Sequence, residues 1–254
     1  MSQTIRRAWT REELILTVEL YCLTTFGRIN NRNKDIIALA AMLGRTPSSV
    51  SYKMANFASI DPTLDRKGAS HVSKLDIAVW NEFFQNWNEM FQESEKIRRV
   101  ILQNRNKTKL DMVFDNKRGK DKYVQTKSRV NQDFFRQVIL ASFDNCCCIT
   151  GCSITELLVA SHIVPWSVDK QNRLNPCNGL CMNALHDKAF DIGLLTIDQD
   201  YRVVVSGWVE KSGLNSFIQE TFLKYSGQQI HLPTRFIPDR SFLEYHRTHI
   251  FQTS

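Results

Sequence analysis

Apolar side chains recur at helical spacing through about the first sixty residues and predict three helices. Thr10 and Glu13 have the spacing of a capping box, in which each side chain bonds the backbone of the other residue at a helix start. A second helix is expected over 34–43, where the apolar positions end at a glycine. Thr46 is suited to cap a third helix, because Pro47 fits the first position of a helix.

The third predicted helix has an apolar side and a polar side. The polar side is expected to face outward and to bind DNA through four residues: Ser49, Tyr52, Lys53 and Asn56. A helix, a glycine turn and a second helix are typical of the helix-turn-helix arrangement, in which such a face contacts bases and phosphates. A small helical bundle without a ligand is the alternative. A further helix, rich in aromatic residues, is expected from Lys74 to about Ile97.

The pattern becomes polar and weakly periodic after this helix, and apolar runs return near residue 131. We therefore predict a helical DNA-binding domain at 1–97, a basic linker at 98–130 and a second domain at 131–254. A composition of 43% apolar and 23% charged residues is typical of globular proteins. No apolar run reaches the length that crosses a membrane, so we expect no membrane partner.

The formal net charge of +7 favours a polyanionic partner such as DNA. Segment 96–129 has twelve Lys and Arg against three Asp, a net charge of +9, while the rest of the chain sums to −2. A solvated linker and a phosphate-contacting segment are both compatible with this charge. The seven cysteines, three of them adjacent, make a poor disulfide framework, and the N-terminus has no apolar signal region; both observations indicate the cytoplasm.

Candidate chemistry lies in the second domain, where polar residues interrupt apolar runs. A strand is expected from Leu158 to Val164, and it contains His162. After a polar turn, Asn178 precedes a stretch at about 180–190 that is expected to be helical and that carries His186. A hairpin and a helix can place two imidazoles and an amide around one small pocket. Imidazole suits the base that activates water, and a cation offsets the charge of a phosphodiester.

Four motifs in this region together resemble the HNH endonuclease family, whose fold is the ββα-metal finger. They are CCITGC at Cys147–Cys152, SHIVPW at Ser161–Trp166, NPCNGL at Asn175–Leu180 and LHDKAFDIG at Leu185–Gly193. The resemblance implies an α+β protein, with an N-terminal helical, helix-turn-helix-like domain followed by a C-terminal ββα-metal HNH nuclease domain.

The resemblance also implies roles for the three polar residues. His162 matches the general base that deprotonates the attacking water, and Asn178 matches the asparagine that orients this base and braces the finger. His186 matches the metal ligand on the helix. The family reaction leaves a 3′-hydroxyl and a 5′-phosphate and uses one divalent ion, Mg²⁺ or Mn²⁺.

Two positions depart from the family pattern and affect the expected metal ligands. Ser161 stands where many members have Asp or His, and Phe190 stands where many have a second ligand on the helix. Asp191 is the nearest acidic residue, so we expect His186 and Asp191 to bind the metal, with Asp187 as the next candidate. The alternative for Asp191 is a hydrogen bond at the helix C-terminus.

The cysteines offer structural Zn²⁺ as a further possibility. Two pairs have the spacing C-x₃-C: Cys148 with Cys152, and Cys177 with Cys181. Zinc-bearing members of the family instead carry two C-x₂-C pairs, the second just before the ligand histidine. We therefore expect buried free thiols rather than a zinc site.

These observations predict a metal-dependent DNA endonuclease of the restriction or phage-defence type. One finger cuts one strand, so cutting both strands requires a homodimer or two binding events. A DNA-binding regulator built on an inactive nuclease is one alternative, although an intact set of His162, Asn178 and His186 disfavours it. An RNA nuclease is another, and it fits the helix-turn-helix prediction less well.

Overall fold

The computed structural model describes residues 7–64, 71–106, 120–213 and 215–253. The chain forms two compact units, Met1–Val124 and Gln125–Ser254. Helices dominate the described residues, with two small antiparallel sheets in the second unit. This arrangement confirms the expected α+β class, with helices first and the hairpin-and-helix region after them. No helix in the described ranges combines the length and hydrophobicity needed to cross a membrane.

The first unit is built from short helices that pack around α1. Its helices are α1 (Arg11–Leu23), α2 (Lys34–Leu43), α3 (Pro47–Ile60), α4 (Lys74–Gln85) and α5 (Trp87–Asn106). α1 contacts each of the other four, and its side chains from Glu13 to Glu19 are all buried. α1 is therefore more buried than an amphipathic stripe predicts, because other parts of the unit cover it on nearly every side.

Sequence-local signals set the ends of the first three helices as predicted. The capping box of Thr10 and Glu13 is formed, and Thr46 caps α3 with Pro47 at its first turn. Gly44 ends α2 with a φ of 64°, a left-handed conformation that a glycine adopts without steric cost.

The helix predicted from Lys74 to about Ile97 is wrong as a single element. It is divided at Asn86, whose backbone (φ −139°, ψ 60°) is not helical, and α5 then continues to Asn106. α5 thus extends into the segment predicted as a linker. The next helix begins at Lys120 and also overlaps that segment, while residues 107–119 lie outside the described residues.

The second unit places a hairpin and a helix between longer helical segments. It contains most of α6 (Lys120–Ser142), which begins before Gln125. Its other elements are β1 (Leu158–His162), β2 (Gly179–Asn183), α7 (Ala184–Asp191), β3 (Leu195–Ile197), β4 (Val203–Val205), α8 (Gly207–Lys211), α9 (Ser216–Thr221) and α10 (Arg240–His249). β1 pairs antiparallel with β2, and β3 pairs antiparallel with β4. α7 packs against β1, β2 and β3, and α10 packs against β3.

The stretch at 180–190 is not the single helix that the sequence predicted. Its first part, through Asn183, belongs to β2, where Leu180 pairs with Ser161 and Gly179 pairs with His162. The helix begins only after Asn183, whose side chain accepts from the backbone N–H groups of Leu185 and His186. Pairing with β1 therefore outweighs the helical periodicity of this short apolar run.

Gly179 allows α6 to pack closely on the hairpin. A Cβ atom at this position would lie 2.4 Å from Cδ1 of Ile139 and 2.8 Å from Cζ of Phe135, both on α6. Real Cβ atoms do not approach other carbon atoms so closely, so only glycine fits without a shift. The absent side chain brings Phe135 against the residue that pairs with Gly179, which is His162.

Candidate active site

His162 ends β1 and is enclosed by aromatic and polar neighbours. Its ring stacks on Phe135, with centroids 3.8 Å apart and planes 12° apart, and Trp166 packs edge-on at 5.3 Å. Nε2 lies 3.0 Å from the carbonyl oxygen of Arg173. The ring is therefore fixed in position by stacking on Phe135, by the edge-on contact with Trp166 and by a hydrogen bond.

The contact with Arg173 assigns the tautomer of His162. A carbonyl oxygen only accepts, so Nε2 carries the hydrogen and the lone pair of a neutral ring is on Nδ1. Burial lowers the pKa of His162 below the ordinary value of 6.5, and the charge of Arg173 acts in the same direction. The ring is therefore a neutral base at pH 7.

Asn178 braces the segment that follows His162. It is fully buried, its Oδ1 accepts from the backbone N–H of Val164 at 2.8 Å, and its Nδ2 donates to the carbonyl oxygens of Val164 and Asn172. Its own carbonyl accepts from the N–H of Ile163. These bonds hold the chain on both sides of the loop that supplies the Arg173 carbonyl.

His186 is buried on α7, and both of its ring nitrogens are engaged. Nε2 donates to the carbonyl oxygen of Thr221 at 2.7 Å, and Nδ1 accepts from Nδ2 of Asn183 at 3.0 Å. Burial alone would raise the pKa of the nearby Cys147 thiol, but the polar groups around it, those of His186 and Thr150 among them, outweigh burial and lower this pKa to about 7. These contacts give His186 a place in the core of the unit.

The two imidazoles that were expected to meet at one cation have separate sets of contacts in the structure. Among the described residues, the ring partners of His162 (Phe135, Trp166 and Arg173) and those of His186 have no member in common. A ring with both nitrogens bonded to protein groups has no lone pair for a metal. His186 is therefore not favoured as the metal ligand.

Oxygen atoms on β1 and α7 are the other candidates for metal ligands. Ser161, the residue before His162, has a buried Oγ that makes no hydrogen bond of full geometry in the described part of the chain. Burial and the charge of Asp191 raise the pKa of the Asp187 carboxyl, and the nearby Ser161 hydroxyl lowers it by less, so the net shift is upward. Burial also raises the pKa of Asp191.

These donors fit a hard divalent cation. Asp187 and Asp191 are four residues apart on α7 and so share one helix face, and each carries a raised pKa, which an adjacent cation would lower again. Mg²⁺ commonly binds proteins through one or two carboxylates and keeps several waters. Within the described ranges no three His, Cys, Asp or Glu side chains form a metal-binding group, so a site here would have two carboxylates and the Ser161 hydroxyl.

The cysteines are all free thiols in the structure. Cys148 and Cys181 are buried, and burial raises the pKa of both, that of Cys181 to about 12. Cys152 and Cys177 are half-buried. The two C-x₃-C pairs do not form a metal-binding group in the described part of the chain.

The predicted DNA-binding face on α3 is only partly exposed. Tyr52 is half exposed and Ser49 is partly exposed, as predicted for an outward face. The prediction is wrong for Lys53 and Asn56, which are 7% and 2% exposed, because Lys53 bonds to the buried carboxylate of Asp76 on α4. The four residues therefore do not project together as a convex surface.

Sequence reasoning named Ser161, Asp187 and Asp191 but missed three groups that shape the site. These three groups make contacts between residues that are far apart in the sequence, which no local pattern predicts. They are the Arg173 carbonyl, the Phe135 ring and the missing side chain of Gly179. The Ser161 hydroxyl stands out in the sequence only as a departure from the family pattern. A search for carboxylates one helical turn apart would have paired Asp187 with Asp191.

A two-stranded antiparallel hairpin, a helix packed on it and a half-buried, neutral histidine at the strand end form a ββα arrangement. Residues 147–198 match the model of the HNH endonuclease family, which confirms the expected resemblance over about a fifth of the chain. Comparison with curated proteins finds no match.

Proposed function

We propose that this protein is a metal-dependent DNA endonuclease. The HNH domain indicates a nuclease acting on nucleic acid. The observation that carries the proposal is the state of His162, a neutral ring whose Nε2–H is bonded to the Arg173 carbonyl and whose Nδ1 lone pair is available. An imidazole held in this way is suited to remove a proton from water.

In the proposed mechanism, Nδ1 of His162 takes the proton of the water that attacks the phosphorus. The bond to Arg173 fixes the ring and stabilises the positive charge that develops on it, because a carbonyl dipole faces the Nε2–H. Asn178 holds the loop in register through Val164 and Asn172. The attack forms a bond from the water oxygen to phosphorus and breaks the bond to the 3′ oxygen, which leaves with the electron pair and takes a proton from solvent, so the products are a 3′-hydroxyl and a 5′-phosphate.

Asp187, Asp191 and Ser161 would hold the divalent cation, Mg²⁺ or Mn²⁺. When bound, such an ion supplies positive charge beside the phosphate and the leaving oxygen. Asp187 must be ionised to bind it, and its raised pKa therefore weakens cation binding at a higher pH than for an ordinary aspartate.

The helical first unit would select the DNA and the second unit would cut it. A net charge of +9 in segment 96–129 supports a phosphate-bearing substrate. A selecting unit joined to a nuclease suits restriction of foreign DNA, and two copies would be needed to cut both strands.

A non-cleaving DNA-binding regulator is the second candidate. The observation that favours it is His186, whose two ring nitrogens are bonded to Thr221 and Asn183. If a cation required this imidazole, the fold would bind DNA without cutting it.

One assay separates the two candidates. Supercoiled plasmid is incubated with the protein in Mg²⁺, in Mn²⁺ or in EDTA, and with His162→Ala under the same conditions. We expect nicking that requires metal and that falls at least about a hundredfold in His162→Ala, since general-base catalysis contributes about 10²–10⁴ in rate. His249→Ala removes an exposed histidine from α10 and is the matched control, with nicking unchanged. Retained DNA binding with no nicking in either metal contradicts the endonuclease and supports the regulator.

A further inference from the structure

The first unit contains a large pocket beside α3. Its volume is about 1360 Å³, and its walls come from the segment before α1, the turn between α2 and α3, the polar face of α3 and His71. Small-molecule pockets in proteins usually measure about 300–1,000 Å³. The pocket therefore admits a planar ring together with a sugar and phosphate attached to it.

One residue in the wall of this pocket has a buried polar atom without a partner. Asn56 lines the pocket, is 2% exposed, and its Oδ1 has no hydrogen-bond partner within the described ranges. An unpaired buried carbonyl costs about 1–3 kcal/mol, and native structures rarely retain one. The atom is an acceptor, so a ligand that satisfies it must carry an N–H or O–H group.

Aromatic surface is available one helical turn away. Tyr52 lies four residues before Asn56 on the same face of α3, lines the pocket and is 50% exposed. The Trp9 ring also lines the pocket, but the Arg45 guanidinium covers it at 3.9 Å from the ring centre. Tyr52 is thus an exposed ring on which a planar ligand can stack.

The charges of the pocket suit a ligand with few negative charges. Arg7 and Arg45 both bond to the carboxylate of Glu13, which leaves one positive charge among the three groups. Lys53 is neutralised by Asp76. The N-terminus of α3, with Ser49 beside the pocket, adds partial positive charge. The positive charge of the pocket can balance one phosphate, but it cannot balance a row of phosphates.

From these features we propose that the pocket receives one unstacked nucleobase of a DNA strand, which stacks on Tyr52 and donates an N–H to Asn56 Oδ1, with its phosphate near Arg7 and the α3 N-terminus. The assignment rests on the proposed function in taking DNA as the ligand. In this proposal the first unit does not insert a helix into a DNA groove. It binds, in a concave site, one base that has left the base stack. Removing a base from the stack costs the least free energy in single-stranded DNA.

The test measures the binding of single-stranded DNA to the full-length protein in EDTA, by fluorescence anisotropy. Short strands of abasic sugar-phosphate residues carry one central nucleobase in matched pairs: adenine against purine, and cytosine against 2-pyrimidinone, each pair differing by the exocyclic amino group. A strand with a central abasic residue removes the ring altogether. We expect that, in one of the two pairs, the strand whose central base has the amino group binds about tenfold more tightly than its partner strand. A hydrogen bond to a buried, otherwise unpaired acceptor contributes a free energy in this range.

Two variants assign the effect to the pocket. Asn56→Leu should abolish the preference for the amino group, and Tyr52→Ala should weaken binding of the preferred strand about tenfold while leaving the abasic strand unchanged. Ile37→Ala, an exposed position on α2 outside the pocket, is the control and should change neither value. If Asn56→Leu does not fold, as its thermal melting would show, Tyr52→Ala alone decides, because Tyr52 is exposed.

Equal binding of every central residue, the abasic one included, would overturn the pocket assignment. An amino-group preference that persists in Asn56→Leu would also overturn it. The plasmid assay separates this outcome from failure of the proposed function: metal-dependent nicking with no base preference leaves the nuclease and removes the pocket. Base-selective binding without nicking would support the pocket and contradict the nuclease.

Discussion

In the proposed mechanism, the His162 side chain is held for proton transfer mainly by uncharged groups. The Phe135 ring removes water from one face, and the Arg173 carbonyl takes the Nε2–H. Burial disfavours the protonated form, so the base remains neutral somewhat below the pH at which a free imidazole would be half protonated. Its position in the sequence predicted a base, but the tautomer required the structure.

Metal affinity distinguishes the ligand expected from the sequence from those that the geometry favours. Asp187→Asn should weaken Mn²⁺ binding at least about tenfold, because a carboxylate contributes charge that an amide lacks. His186→Gln should leave Mn²⁺ affinity unchanged and should lower the thermal stability, because it removes a buried ring bonded to Thr221. Titration calorimetry with Mn²⁺ measures the affinity.

Glu210→Gln removes an exposed carboxylate on α8 and serves as the control for charge. Weakened Mn²⁺ binding in His186→Gln, together with normal binding in Asp187→Asn, would restore the histidine as the ligand.

His246 gives the stability a defined pH dependence. Its Nε2–H donates to the carbonyl of Phe190, its Nδ1 accepts from Thr196, and burial lowers its pKa from 6.5 to about 4. Below pH 6.5 the His246 side chain binds a proton in the unfolded chain but stays neutral in the folded chain. The free energy of unfolding therefore falls as the pH drops toward 4. The full loss is about 3 kcal/mol for such a shift, and His162 adds to it in the same direction.

Urea unfolding at several pH values between these limits checks this expectation. His246→Gln should flatten the dependence over this range, and His249→Gln, which changes an exposed residue on the same helix, should leave it as it is. A slope that is unchanged in His246→Gln would contradict the assignment.

At the scale of elements, local sequence signals were sufficient to predict helix ends, because a capping residue bonds to backbone close to it in the chain. Thr10, Gly44, Thr46 and Asp239 cap or end their helices as their types and positions predict. Long-range pairing was not predictable in the same way. The run at 180–183 forms a strand because β1 supplies its hydrogen bonds, and a short apolar run has no period of its own that excludes a helix.

The candidate site was predictable in its chain order and less so in its contacts. His162 and Asn178 are brought close together, since β1 and the residues before β2 are hydrogen-bonded. His186 faces the other way because α7 buries that side against Thr221 and Phe222. Neighbouring residues on a helix point about 100° apart, so placing His186 in the core turns Asp187 toward Ser161.

Gly179→Ala tests whether close packing of α6 is needed for catalysis. The new methyl group would overlap Ile139 and Phe135, so we expect a loss of about 1–3 kcal/mol in the free energy of unfolding. Nicking should fall at least about tenfold even at temperatures where the protein is folded, because Phe135 is displaced from the His162 ring. Urea unfolding and the plasmid assay measure the two effects.

Gly27→Ala is the matched control, since a Cβ atom there has no heavy atom within 4 Å among the described residues. Normal nicking by Gly179→Ala would show that the stack on Phe135 is dispensable.

At the scale of the whole molecule, charge is concentrated rather than spread. Segment 96–129 accounts for more than the entire net charge of +7, and the remaining chain is slightly acidic. A polyanion would therefore be attracted to one part of the chain. Binding of this kind releases counterions and weakens steeply with salt.

We accordingly expect the affinity for duplex DNA to fall at least about tenfold between roughly 50 and 200 mM NaCl. Replacing Lys107, Lys109 and Lys117 with glutamine should lower the slope of log K against log salt by about 0.9 for each phosphate that the variant no longer neutralises. Anisotropy titrations in EDTA give the slope. A slope that is the same in the triple variant would show that the phosphates are bound elsewhere on the chain.

The absent side chain at position 179 also bears on how this protein can change over generations. Every glycine codon is one nucleotide from a codon for alanine or valine, and either residue would press on α6. One replication error therefore suffices to press a side chain onto α6 and to slow the proposed cutting reaction, while the first unit keeps its own core and pocket. With the proposed DNA binding retained, populations that carry such a gene should accumulate impaired copies that still occupy DNA and shield it from the active form.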